Sequence, residues 1–197
     1  MPINSLHHYL SSFWQIIIVW VILFWLLRIN KTGKVLCVIN TMIHETGHAV
    51  FSLLTSGSVE RIDLFADTSG ACITGSKYWL GKFIVSLAGY PFASAAAWFG
   101  FYLLYQGKAE WNLYLLGGIA CTNMVLWVRN KYGFFWLLVF ICTLGGIYYA
   151  NNSTLTFYSL FMINSVLLIE SLWSALIILY ISAENPHEAG DAKNLRD

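Results

Sequence analysis

The residues best suited to chemistry are His44-Glu45-Thr46-Gly47-His48. On a helix, residues i and i+4 lie on one face a turn apart, so His44 and His48 can aim imidazole nitrogens at one metal ion. Glu45 is rotated about 100° from His44, which brings its carboxylate toward a water on the metal rather than the metal itself. Zinc draws the pKa of such a water down to about 7, and a carboxylate beside it can take the proton and pass it on. H-E-x-x-H is accordingly the signature of zinc hydrolases. The competing reading is a polar helix–helix contact. It would place three ionisable groups in five residues of apolar helix for packing alone, which is expensive.

The elements that must hold this motif are set by composition. Of 197 residues, about one domain's worth, 58% are hydrophobic and 11% charged; soluble domains run at roughly 45–50% and about 25%. Nine Trp, 11 Tyr and 13 Phe are more aromatic surface than a globule of this size buries. Disordered, collagen-like and mucin-like chains are excluded. A nucleic-acid module is excluded too, because the net charge is +1 with no basic block. The chain is expected to sit in a lipid bilayer as a single domain over 1–197. Cys37, Cys72, Cys121 and Cys142 show no metal-pair spacing and read as small hydrophobes.

About 20 apolar residues cross a bilayer. About six stretches meet or approach this: 12–28, 35–55, 79–105, 111–128, 132–150 and 157–181. The expected fold is therefore an all-α polytopic membrane protein with about six transmembrane helices and a short β-hairpin after the HExxH helix. The first stretch lacks a basic n-region and a small-residue cleavage site, so it reads as a retained anchor. Trp79, Trp111 and Tyr148-Tyr149 fall near span ends, where an interfacial aromatic belt belongs. Gly89-Tyr90-Pro91 predicts a kink in the third span. Over 57–77, Val59, Ile62, Leu64 and Ile73 alternate imperfectly with polar residues around Asp67-Thr68-Ser69-Gly70, a hairpin pattern. From Ser182 the tail is polar. With both termini inside, Arg61, Lys77, Lys82, Arg129, Lys131, Lys193 and Arg196 lie inside, and Arg28, Lys31, Lys34 and Lys108 outside; the positive-inside rule favours that orientation.

A HExxH motif within a transmembrane helix resembles the site-2 protease class of intramembrane zinc metallopeptidases, and the compact bacterial M50B-like peptidases more closely. The likeness rests on the sequence from His44 to Val50, then Leu53-Leu54-Thr55-Ser56-Gly57 and Val59-Glu60-Arg61-Ile62. It continues through Leu87-Ala88-Gly89-Tyr90-Pro91, Val128-Arg129-Asn130-Lys131-Tyr132-Gly133 and Gly190-Asp191-Ala192-Lys193-Asn194-Leu195. The resemblance implies a zinc-dependent peptidase in a bacterial inner membrane, cleaving membrane-protein substrates in or near their transmembrane segments. It also implies a hairpin beside the active site that can pair with an unwound substrate strand.

A catalytic zinc takes three protein ligands. His44 and His48 supply two. The larger site-2 proteases use an Asp in an LDG-type motif, which this chain lacks; the M50B-like resemblance points instead to Asp191. Glu170 competes: counted from Ile181, it lies about 16 Å from the membrane face, as His44 does from Thr55. Asp63 and Asp67 are remoter candidates. His187 reads as an exposed tail histidine, with an outer partner of the site or a ligand as the alternatives, and His7 and His8 read as interfacial. Asn123 reads as a helix-packing amide or a substrate contact. Two further functions remain open: zinc transport or sensing, which uses the same histidines but needs no general base, and an inactive relative that binds transmembrane partners through its groove.

Overall fold

The computed structural model describes residues 3–29 and 31–184. Six α-helices run in chain order: α1 (Ile3–Ile29), α2 (Lys31–Leu54), α3 (Trp79–Tyr105), α4 (Ala109–Thr122), α5 (Lys131–Tyr149) and α6 (Ser153–Glu184). A two-stranded antiparallel sheet, β1 (Ser58–Leu64) and β2 (Gly70–Gly75), follows α2. The chain is an integral membrane protein. Among the described residues α3, α5 and α6 are long and apolar enough to cross a bilayer. Trp14–Ile29 and Gly33–Leu54 pass that test only as a pair, bent by 102°. The fourth expected stretch is divided: α4 ends at Thr122 and Asn123–Trp127 continues as a π-helical turn. Trp79, Trp111, Tyr148 and Tyr149 are exposed at helix ends, as an aromatic belt requires.

The helices pack on small residues. A Cβ on Gly47 would stand 2.7 Å from Phe92, and one on Gly100 2.3 Å from Asn164 Oδ1, so α2 and α6 both approach α3 closely. Ile39, Met42, Ile43, Leu137, Leu160 and Leu167 fill the centre. α3 runs through Pro91 as one helix. No disulfide joins the cysteines.

α2 ends because Ser56 adopts a left-handed conformation (φ 58°) and Gly57 N–H donates back to Ser52 O at 2.8 Å, a Schellman-type stop. Gly57 admits no side chain, since a Cβ there would meet Gly75 O at 2.5 Å. The chain therefore turns back along α2. A register shift between Val59 and Arg61 explains the imperfect alternation, because a bulge moves the inward face by one residue. Ile62 and Leu64 are fully buried after it, and on β2 Cys72, not Ile73, faces the core. At the tip, Ser69 donates through its hydroxyl (2.6 Å) and N–H (3.0 Å) to Asp67 Oδ1. These two bonds hold the Asp67 carboxyl below its usual range.

The outer edge of β1 is occupied. Ile62 forms a parallel bridge with Val128. Leu64 N–H donates to Asn130 Oδ1 at 3.1 Å, and Asn130 Nδ2 donates to Leu64 O. The Asn130 side chain thus imitates a strand residue. Asn130→Leu is expected to leave both Leu64 groups unpaired and destabilise the fold by about 1–3 kcal/mol. Thermal unfolding together with faster hydrogen exchange at the Leu64 amide checks this; unchanged exchange there would contradict the pairing.

Candidate functional site

His44, Glu45 and His48 all lie on α2, between α3 on one side and the hairpin on the other. His48 Nδ1 is 2.6 Å from Val85 O on α3. A carbonyl only accepts, so Nδ1 of His48 carries the proton and Nε2 is the lone-pair nitrogen of the neutral ring. That Nε2 lies 3.0 Å from His44 Nε2, with the two rings edge to face at 4.6 Å. His44 in turn meets the Tyr90 ring at 4.4 Å. Gly89 makes room for it: a Cβ there would stand 2.4–2.6 Å from Cε1, Nε2 and Nδ1 of His44.

Glu45 is buried at 6% exposure because the hairpin closes over it. A Cβ on Gly70 would stand 2.7 Å from Glu45 Oε1. Thr41 Oγ1, one turn before Glu45, donates to Thr68 O at 2.7 Å and pins the hairpin tip to α2. Behind the motif, Thr46 Oγ1 donates to Met42 O at 2.6 Å. It also accepts from Asn123 Nδ2 at 2.8 Å. Asn123 is fully buried and is a helix-packing amide, tying the π-helical turn to α2.

The donors fit a zinc site in part. Two nitrogens at about 2.0–2.1 Å from a tetrahedral ion are about 3.3 Å apart, a few tenths more than the observed separation. The carbonyl behind His48 is the kind of outer partner that orients a ligating imidazole. Among the described residues no group of three His, Cys, Asp or Glu side chains could hold a metal; the two imidazoles are the donors that lie together there. Asp191 and His187 lie outside the described residues, as do the side chains of His7 and His8. Glu170 is ion-paired with Arg28 at 2.8 Å and 3.2 Å, one turn after Val166, which shares a buried cluster with Cys37. Cys37 precedes His44 by two turns, about 10 Å along α2. Asp63 pairs with Arg61 at 3.0 Å on β1, and Asp67 sits at the hairpin tip.

A family model described as Peptidase M50B-like matches residues 16–197. The chain belongs to the M50B-like peptidase family. Membership makes it a membrane protein of the site-2 protease kind, from a family of metallopeptidases that are generally zinc-dependent. No curated protein and no solved structure matches the chain. Three features of this M50B-like site were missed by sequence reasoning. The Val85 carbonyl is invisible there because every residue has one. Gly70 was read as a turn residue and covers Glu45. Gly89 stood in a Gly-Tyr-Pro signal read as a kink, yet its use is to seat the His44 ring.

Proposed function

We propose that the protein is a zinc-dependent intramembrane peptidase hydrolysing peptide bonds in or near transmembrane segments of membrane-protein substrates. The observation that carries this reading is the pair of imidazole Nε2 atoms 3.0 Å apart beside a carboxylate enclosed by the hairpin. His44 and His48 would hold the ion with Asp191. At most about 23–25 Å of extended chain separates Glu184 from Asp191, ample reach for a fold-back. Zinc, when bound, supplies a Lewis acid for water and the scissile carbonyl. Glu45 takes a proton from the attacking water and delivers it to the departing amide nitrogen. The Val85 carbonyl keeps His48 in the ligating tautomer, and the hairpin walls the site.

A helical substrate hides its peptide bonds and must be extended before hydrolysis. Within the two-stranded sheet β2 pairs only with β1, and the other edge of β1 already carries Val128 and Asn130. The β2 edge is therefore the one we assign to an added substrate strand. It starts at Gly70, against Glu45. Unpaired backbone at membrane depth must face protein or a water-lined cavity, which suits such a groove. The reading completes as a single domain with about six spans in a bacterial inner membrane.

The test is cleavage of a transmembrane peptide by purified protein in lipid vesicles. Activity is expected to disappear on chelation and return with zinc. Cleavage that persists through complete chelation would exclude zinc catalysis, and zinc flux into vesicles with no peptide turnover would favour transport.

A further inference from the structure

α3 begins beside the hairpin and ends at Tyr105, and α4 leads back to the hairpin, where Val128 bridges Ile62. α5 crosses again, so the turn after α3 and the turn before α6 share the membrane face opposite the hairpin. Between these two turns lies a cavity of about 760 Å³, within the usual range for a site that encloses a small molecule. Its lining carries one cation and one anion, Lys108 and Glu110, together with the rings of Trp111, Tyr148 and Tyr149. Among the described residues neither Lys108 nor Glu110 is ion-paired.

A second cavity adjoins the first, and Gly107, Ala109 and Ser153 line both. Its other walls are Leu104, Phe157 and Tyr158. Phe157 and Tyr158 are exposed on the outer surface of α6, where the surroundings are lipid. A Cβ on Gly107 would meet nothing within 4 Å, so the two spaces are not separated there.

A charged compartment at the depth of the aromatic belt, continuous with an apolar one beside the acyl chains, fits an amphiphile. A soluble ligand has no use for the second compartment, and a hydrocarbon none for the charges. Lys108 and the start of α4, which has no capping side chain, suit a phosphate. Glu110 opposes a purely anionic headgroup and suits a cation, to which the rings of Trp111, Tyr148 and Tyr149 offer their faces. A primary ammonium can also donate hydrogen bonds to Glu110, as a quaternary one cannot.

We propose that the two cavities hold one molecule of phosphatidylethanolamine, its phosphate at Lys108, its ammonium at Glu110 and an acyl chain against Leu104 and Phe157. Bound there, the lipid clamps the α3–α4 turn to the α5–α6 turn. The site lies across the membrane from the hairpin and depends on no part of the metal-site reading.

The test is native mass spectrometry of the full chain in detergent, titrated separately with phosphatidylethanolamine, phosphatidylcholine, phosphatidylglycerol and glycerophosphoethanolamine, the last being the headgroup without acyl chains. The wild type is expected to retain one phosphatidylethanolamine about tenfold more tightly than either other phospholipid, the worth of one charge-assisted hydrogen bond. It should bind glycerophosphoethanolamine far more weakly. Glu110→Gln is expected to abolish the preference for ethanolamine over choline, and Lys108→Gln to weaken all three phospholipids by about tenfold. Both side chains are exposed, so both variants should fold, which thermal unfolding checks. Equal retention of the three phospholipids by the wild type overturns the proposal, and so does a preference that survives Glu110→Gln. Glycerophosphoethanolamine bound as tightly as the whole lipid overturns it in favour of a soluble phosphate ester. Should a variant fail to fold, the wild-type comparison among the four probes decides by itself.

Discussion

Glu45→Gln is expected to bind zinc at the wild-type stoichiometry while peptide hydrolysis drops by about 10²–10⁴-fold, the usual worth of a general acid–base group. Gln has nearly the shape of Glu, so the contacts with Gly70 and the hairpin are preserved and only the capacity to accept a proton is removed. The enclosure of Glu45 strengthens the expectation. At 6% exposure, bulk water has little access to substitute as base. The measurement pairs zinc content with turnover of a transmembrane peptide. Undiminished turnover would sink the mechanism, and zinc transport left intact in a chain without turnover would transfer the histidines to the transport reading.

Gly89→Ala is expected to be nearly as damaging although residue 89 has no chemistry. The added methyl would stand 2.4–2.6 Å from three atoms of the His44 imidazole, far inside van der Waals contact. The ring is hemmed by Tyr90 on one side and His48 on another, so it cannot yield without breaking the 3.0 Å Nε2 pair. Overpacking of this kind costs about 1–3 kcal/mol of stability. Displacement of a ligand should also lower zinc affinity, giving a protein that is folded, less stable and poor in metal. A Gly89→Ala protein with wild-type zinc content and turnover would show that His44 is not seated as described.

Both expectations join a residue visible in the sequence to a neighbour that was not. The histidine spacing is local: one turn of helix brings His44 and His48 to one face wherever α2 lies. The hairpin was equally legible, because its turn residues and its partial alternation are local signals. Its bulge was foreshadowed only as an irregularity, since which residue is extra depends on the partner strand.

Glu170 shows where such reasoning ran out. Counting from Ile181 gave it the depth of His44, on the premise that the two helices end level. α6 instead continues to Glu184, and the ion pair with Arg28 at the end of α1, with Cys37 and Val166 in one buried cluster, sets Glu170 toward the start of α2, away from the histidines. The longitudinal register of two helices is set where they meet α3, at Gly100 against Asn164 and Phe101 against Phe161 at 5.7 Å. No local pattern encodes that offset. The same holds for Asn130, whose amide serves as a β-partner to a strand 66 residues away.

By itself the sequence determined the bilayer as solvent, the helix that bears His44, Glu45 and His48, and the hairpin that follows it. Each depends on composition or on a period of a few residues. Tertiary structure alone decided which ring nitrogen of His48 is protonated, which glycine seats His44, what encloses Glu45 and what occupies the outer edge of β1. Those outcomes depend on backbone groups and close approaches between segments distant in sequence, where side-chain identity carries little of the signal.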